Sequence, residues 1–94
     1  MHTVRVSQSD PGAFRSLGAA VRAPLYAGTD LYLHVDPGHY VEDEIIAVTR
    51  RILVVPTQGP GTVEITRSTV GNVFRVKPGG RLELYGIRVE GGAG

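Results

Sequence analysis

The sequence predicts an all-β fold, a short parallel β-solenoid of about three coils with one α-helix over its first end. Three observations predict it. Short apolar strands alternate with corners rich in Gly and Pro, similar segments begin at Leu31, Ile52 and Val73, and one helical pattern precedes them. A repeat of this size cannot bury its apolar face alone, so stacked coils are expected to share one core.

Size and composition indicate one small domain and exclude several classes of function. We expect a single unit over residues 1–94, with an N-terminal strand and capping helix in 1–29 and the coils in 30–94. Cysteine is absent, which excludes a disulfide framework and a thiolate metal site. The formal net charge of +1 argues against a nucleic-acid partner and against an anionic membrane surface.

Targeting signals are weak in this sequence. No apolar run approaches the ~20 residues of a membrane helix. The first residues, MHTVRVSQSDPG, lack the basic and then apolar blocks of a secretory signal, so a cytoplasmic location is expected. A secreted chain from which the signal had been removed would give the same pattern.

The first predicted elements are a strand over residues 3–7 and a helix of about two turns. Valines alternate with polar residues in the strand, which indicates one buried face. The helix has an apolar stripe formed by Phe14, Leu17, Ala20 and Val21. Ser16 is the expected N-cap and Pro24 ends the helix. Since so short a helix is unstable alone, it is expected to lie on the end of the strand stack.

The central stretch, residues 30–56, contains the strongest strand signals. Leucine and valine alternate with polar residues over 31–35, and Asp36-Pro37-Gly38 forms a corner. Two further strands are expected at Ile45–Val48 and Ile52–Val55, closed by Pro56. Nearly continuous apolar strands of this kind are typical of parallel sheets buried on more than one side.

The C-terminal part continues the pattern with strands near 63–66, 73–76 and 82–89. Two registers fit the sequence. The 21-residue spacing makes the segment at Val73 the next copy of the segment at Ile52. Three strands per coil would instead place Leu82–Leu84 beneath Ile52–Val54.

Several segments resemble the opening of the pectin-lyase-like superfamily. They are HTVRVSQSDPGAFRSLGAAVRA, DLYLHVDPGHYVEDEIIAV, RRILVVPTQGPGTVEI and RLELYGIRVEGG, which together cover almost all of the chain. The resemblance implies a right-handed parallel β-helix with an N-terminal capping α-helix, as found at the front of larger bacterial proteins. The chain departs from the pattern at Pro56, where family members usually place Gly. The superfamily's catalytic residues come from later coils, and no residue here matches them, so the resemblance carries over no enzymatic activity.

A polar and aromatic cluster around the Asp36 corner supplies the candidate ligand-binding residues. They are Tyr32, His34, Asp36, His39 and Tyr40. An aromatic strip that stacks sugars is one interpretation, and packing of Tyr40 at a corner and of Tyr85 in the core is the other. A small enzyme using His34, Asp36 and His39 across an oligomer interface is the least favoured hypothesis.

Metal and cofactor sites are not expected. The acidic run Glu42–Glu44 lacks the alternating oxygen donors of a Ca²⁺ loop, and Glu42 matches the corner Glu of the resembled superfamily. His34 and His39 have no third ligand at a spacing suited to zinc. The Gly-rich corners at 59–61 and 79–80 lack the helix and the Lys-Ser/Thr of a phosphate-binding loop.

The last predicted coil points to self-association. Its residues Leu82, Leu84, Tyr85, Ile87 and Val89 are followed only by GGAG, so no capping element is expected to cover them. Uncapped solenoid ends tend to associate, so two outcomes are expected: the chain is the front piece of a longer β-helix, or its open face docks against another copy. The leading hypothesis is therefore a non-catalytic assembly module, a homo-oligomer that pairs through this end or docks a protein partner. The alternative is a carbohydrate-binding or vestigial polysaccharide-active domain.

Overall fold

A computed structural model describes residues 1–91 of the chain. The elements are β1 (His2–Val6), α1 (Leu17–Arg22), a 3-10 turn (Pro24–Tyr26), β2 (Leu31–Val35), β3 (Gly38–Glu42), β4 (Ile46–Val48), β5 (Arg51–Pro56), β6 (Val63–Arg67), β7 (Phe74–Val76), β8 (Arg81–Leu84) and β9 (Ile87–Val89). No helix in this range is long and apolar enough to cross a membrane.

The strands form three separate sheets, and every strand pair is parallel. The first sheet has the order β1-β2-β5-β8, the second β3-β6-β9 and the third β4-β7. The chain visits the sheets in turn, from β2 through β3 to β4 and then from β5 through β6 to β7. Parallel neighbours are therefore joined by segments that pass through the other two sheets.

The predicted all-β fold class, a parallel β-helix of about three coils, is wrong. The described chain is a small mixed α/β protein with nine strands in three parallel sheets and one short α-helix. Residues 1–91 show no closed solenoid, and the spacing between paired strands is irregular. Paired residues lie 21 positions apart between Leu31 and Ile52 but 30 apart between Arg51 and Arg81. Between β1 and β2 the chain folds as a helix and a 3-10 turn instead of strands of the second and third sheets.

One of the two proposed registers is confirmed. Ile52 pairs with Leu82 and Val54 with Leu84, as three strands per turn of chain predict. The interpretation of the Val73 segment as the third copy of the Ile52 segment is wrong, because Phe74 of β7 pairs with Ile46 in the third sheet. The two segments have similar apolar patterns but join different sheets.

The core lies between the inner faces of the sheets and the helix. In parallel sheets paired residues point to the same side, so each inward position continues an apolar stack from strand to strand. The fully enclosed members include Val6, Leu17, Ala20, Leu31, Leu33, Val35, Ile46, Val48, Ile52, Val54, Ile65, Val73 and Phe74. Burial of each large aliphatic side chain contributes about 1.5–3 kcal/mol, which explains how so small a chain forms a core.

The predicted helix is confirmed, including both of its ends. The Ser16 Oγ accepts a hydrogen bond from the Ala19 N–H at 3.0 Å, and the helix ends before Pro24. Leu17 and Ala20 are fully buried. Two turns are too short to be stable in isolation, so packing of this apolar face holds the helix in place.

The predicted corner after β2 is also present and begins β3. Gly38 has φ of +154°, and a Cβ there would lie 2.5 Å from the Gln8 Oε1. The Gln8 Nε2 donates to the His39 carbonyl at 2.6 Å across the same contact. Because L side chains rarely adopt this positive φ, the corner favours glycine, and any Cβ there would also displace the Gln8 side chain.

Candidate functional site

Two of the predicted ligand-binding residues lie together on the outer face of β2. The ring centroids of Tyr32 and His34 are 4.5 Å apart with planes tilted by 43°. Both side chains are half-buried, as are Leu53 and Val55, their partners on β5. These four residues form a small partly apolar strip on the outside of the first sheet.

Asp36 lies just beyond β2, and its carboxylate is occupied by the protein itself. Its Oδ2 accepts from the Arg5 Nη2 at 2.6 Å, and its Oδ1 accepts from the Thr57 hydroxyl at 2.8 Å. The bond from Arg5, followed by that from Thr57, lowers the pKa of Asp36 from 3.8 to about 2. Arg5 also pairs with Asp10 at 2.8 Å. The carboxylate therefore ties β1, β2 and the end of β5 together.

Tyr40 is in the core, at the corner where the packing interpretation places it. Its side chain is 1% exposed, and its hydroxyl donates to the Asp36 carbonyl at 2.7 Å. Burial raises the pKa of the Tyr40 hydroxyl. The ring presents no face to solvent, so it is separated from the surface strip of Tyr32 and His34.

His39 lies on a different sheet from His34. It is exposed on β3, with its Nε2 at 2.9 Å from the Thr66 Oγ1 and 3.5 Å from the Glu64 Oε1. Glu64 also pairs with the Arg88 Nε at 3.2 Å. The structure therefore joins Tyr32 with His34 and Asp36 with Tyr40, and it places His39 in a separate polar row across the second sheet.

The acidic run after β3 contains one buried carboxylate and two exposed ones. Glu42 is 1% exposed, and its two oxygens accept from the backbone N–H groups of Leu17 and Gly18, each at 3.1 Å. Asp43 and Glu44 are exposed on the following turn. Glu42 thus holds the first turn of α1, where a negative charge also interacts favourably with the helix dipole. Residues 1–91 contain no group of three or more His, Cys, Asp or Glu side chains arranged to hold a metal ion.

The predicted self-association residues lie at the last strands of the first two sheets. Leu82 and Leu84 on β8, and Ile87 and Val89 on β9, are half-buried and pack against the core. Tyr85 follows β8 and is 57% exposed, so the interpretation that it packs in the core is wrong. Val76 on β7 is 41% exposed and completes this group on the third sheet.

Three arginines with structural roles were missed by sequence reasoning. Arg5 pairs with Asp36, and Arg67 contacts backbone carbonyls near the end of β6. Arg50 donates through its Nη2 to the Val21 carbonyl at 2.9 Å and through its Nε to the Thr29 carbonyl at 2.8 Å. The excess of Arg over Lys was the available signal, because a guanidinium suits such multiple contacts.

Comparison of the chain with protein-family models, with curated proteins and with solved structures finds no match. The resemblance to the pectin-lyase-like superfamily therefore stays a prediction.

Proposed function

We propose that the chain is a non-catalytic assembly module that pairs with a second copy of itself through the last strands of its sheets. The surface concerned is the last-strand face, defined by Val76, Leu82, Leu84, Tyr85, Ile87 and Val89. Its occupant is the same face of another copy, related by a two-fold axis.

The observation that carries this proposal is a loss of burial at the last strand of each sheet. Val48 is fully buried, whereas Val76, its partner on β7, is 41% exposed. Ile52 and Val54 are likewise fully buried, whereas their partners Leu82 and Leu84 on β8 are half-buried. These side chains continue the core stacks, and within the described residues no further strand covers them.

Backbone groups support the same surface. Within residues 1–91, β7, β8 and β9 each pair on one side only, so each sheet presents an open strand edge. Open edges readily pair with another chain. A second copy would therefore supply hydrogen-bond partners and apolar cover at the same surface.

The opposite edge of the first sheet, at β1, is covered by the chain itself, which favours a closed dimer over an open filament. Beyond β1 the Phe14 carbonyl accepts from the Ser7 N–H at 2.8 Å, and the Phe14 N–H donates to the Arg5 carbonyl at 3.2 Å. Helix α1 packs against β1, β3 and β4 on that side. Because this edge is occupied, last strands are expected to meet last strands, which gives a two-fold dimer.

Substitution of exposed members of the face tests the proposal. We expect Val76→Lys and Tyr85→Ser to convert the dimer to a folded monomer, since both side chains are exposed in a single copy. Leu25→Ser is the matched control, because Leu25 is 79% exposed in the 3-10 turn after α1. Size-exclusion chromatography with light scattering measures the mass. Equal masses for all variants and the parent would contradict the proposal.

Carbohydrate binding is the second candidate function, favoured by the adjacent, mutually tilted rings of Tyr32 and His34 on the outer face of β2. Exposed aromatic faces stack on apolar faces of sugars, in the way they pack on other apolar groups. A glycan array followed by titration calorimetry tests it. Sugar binding that is lost in Tyr32→Ala and kept in His39→Ala would support this function. An array on which no glycan binds would contradict it. A cytoplasmic location and a protein partner other than a second copy stay predictions.

A further inference from the structure

A cleft beside the end of β6 is lined by Arg67, whose guanidinium forms no ion pair with the described residues. The cleft has a volume of about 250 Å³ and is lined by Thr66, Arg67, Thr69, Val70, Gly71, Glu90 and Gly91. It lies on the second sheet, away from the strip of Tyr32 and His34 on the first sheet. None of these residues belongs to the last-strand face.

Arg67 is incompletely bonded by its surroundings. Its Nη1 donates to the Asn72 carbonyl at 2.9 Å, while its Nη2 makes only long contacts, 3.3 Å to the Thr69 Oγ1 and 3.5 Å to the Asp43 carbonyl. Among residues 1–91, its Nε is the one buried side-chain polar atom without a hydrogen-bond partner. A guanidinium has five N–H donors, so part of its bonding capacity remains unused.

The charge of Arg67 is also unbalanced. The ion pairs formed by the described residues do not include it. The acidic residue among those that line the cleft, Glu90, is paired with the Arg88 Nη2 at 2.9 Å. Arg67 therefore contributes a positive charge to a concave surface that also carries the Thr69 hydroxyl.

From this combination we infer that the cleft binds a small oxyanion, a carboxylate or phosphate group. The planar fork of an arginine matches the paired oxygens of either group. The hydroxyl of Thr69, which contacts the Arg67 Nη2, is a further donor for a remaining oxygen. The cleft, at about 250 Å³, has room for such a group, and the Glu90 carboxylate on its wall would repel an anion that approaches it.

Titration of the folded chain with sodium phosphate and with sodium acetate, at constant ionic strength, tests the inference. Backbone amide shifts in NMR spectra report the site, and we expect saturable shifts centred on residues 66–71. Tighter binding of acetate assigns the site to carboxylates, and tighter binding of phosphate assigns it to phosphate groups. Absence of a saturable shift with either anion up to about 50 mM would overturn the inference.

Three variants that each remove one charge are expected to change anion binding in different ways. Arg67→Gln removes the charge-assisted bonds and should weaken binding at least about tenfold. Glu90→Gln removes a repelling carboxylate and should tighten binding about threefold. Arg75→Gln is the control, because Arg75 is exposed on β7 outside the cleft, and it should change binding less than about twofold. Equal effects of the two arginine variants would show an unspecific response to charge and overturn the inference.

Thr69→Val covers the case in which Arg67→Gln fails to fold. Thr69 is exposed, and its hydroxyl contacts Arg67, so the change leaves the core intact. We expect about three- to tenfold weaker binding from the loss of one donor. Thr3→Val, an exposed position on β1, is its control, and equal binding by these two variants and the parent would overturn the inference.

Discussion

At the scale of single residues, two carboxylates connect segments that are distant in the sequence. Glu42 accepts from two N–H groups of α1, and Asp36 accepts from Arg5 and Thr57. Glu42 was assigned to a corner from its sequence, but its bonding partners lie 24 and 25 residues earlier, and no local pattern indicates them. The corner at Asp36 was predictable from Pro37 and Gly38, whereas its pairing with Arg5 depends on the β1–β2 register.

We expect Glu42→Ala to lower the free energy of unfolding by about 2–4 kcal/mol, because two buried N–H donors lose a charged acceptor. Glu44→Ala is the control, since the Glu44 side chain is 73% exposed and its ion pair with Arg22 is 3.9 Å long. That change should stay within about 0.5 kcal/mol. Urea unfolding followed by circular dichroism measures both, and equal losses would contradict the capping role of Glu42.

The lowered pKa of Asp36 predicts how stability depends on pH. The folded value of about 2 lies below the ordinary value of 3.8, so the unfolded chain takes up this proton first as the pH falls. The stabilisation is complete above about pH 5 and is lost progressively between about pH 5 and pH 1. In Asp36→Asn the decrease of stability over this range should be smaller than in the parent.

Urea midpoints at pH 5, pH 3 and pH 2 measure this dependence. Asp43→Asn, on an exposed turn, is the control for the removal of one negative charge. If Asp36→Asn and the parent lose stability in parallel, the pairing of Asp36 with Arg5 does not stabilise the folded chain.

At the scale of elements, α1 shows what local sequence determines and what tertiary contacts determine. Ser16 and Pro24 set its two ends, and both were predictable because capping and proline chemistry act on neighbouring residues. Its position over the core was expected from the instability of so short a helix. The buried carboxylate at its first turn was not, since Glu42 belongs to another element.

For Gly18, in the first turn of α1, the contacts predict that substitution by Ala lowers stability, whereas helix propensity predicts that it raises stability. Ala is favoured over Gly by about 1 kcal/mol inside a helix. A Cβ at position 18, however, would lie 2.7 Å from the Glu42 Oε1 and would also contact the Arg22 guanidinium. We therefore expect Gly18→Ala to destabilise the chain by about 1–3 kcal/mol, because the buried carboxylate must shift.

Urea unfolding of Gly18→Ala measures this effect, with Gly12→Ala as the control variant. At position 12 the nearest atom to a new Cβ is the Asp10 Oδ1 at 3.4 Å, an ordinary contact. Gly12→Ala should change stability by less than about 0.5 kcal/mol. A stabilised Gly18→Ala would show that propensity outweighs the contact with Glu42.

At the scale of the whole molecule, the sequence predicted parallel strands, their approximate positions and an apolar shared core. It did not predict the division into three separate sheets or the mixed α/β class. Strand patterns at Ile52 and Val73 look alike, yet Ile52 pairs with Leu31 and Phe74 with Ile46. Sheet membership depends on corner lengths, which vary along the chain, so an apparent constant repeat was misleading.

The last-strand face follows from that arrangement. Strands β7, β8 and β9 end their sheets within the described residues, so inward side chains that are enclosed one strand earlier become partly exposed. Burying them against a second copy would also add apolar contact to a domain whose small size limits its core. Self-association is the central claim because it explains this exposed surface.

Sedimentation equilibrium of the unaltered chain, over roughly 1–100 µM, tests this claim most directly, since mass action favours the dimer as concentration rises. We predict a single species with twice the mass of one chain at the upper concentrations. The mass of one chain at every concentration would contradict the claim, and so would a mass that keeps growing beyond two chains.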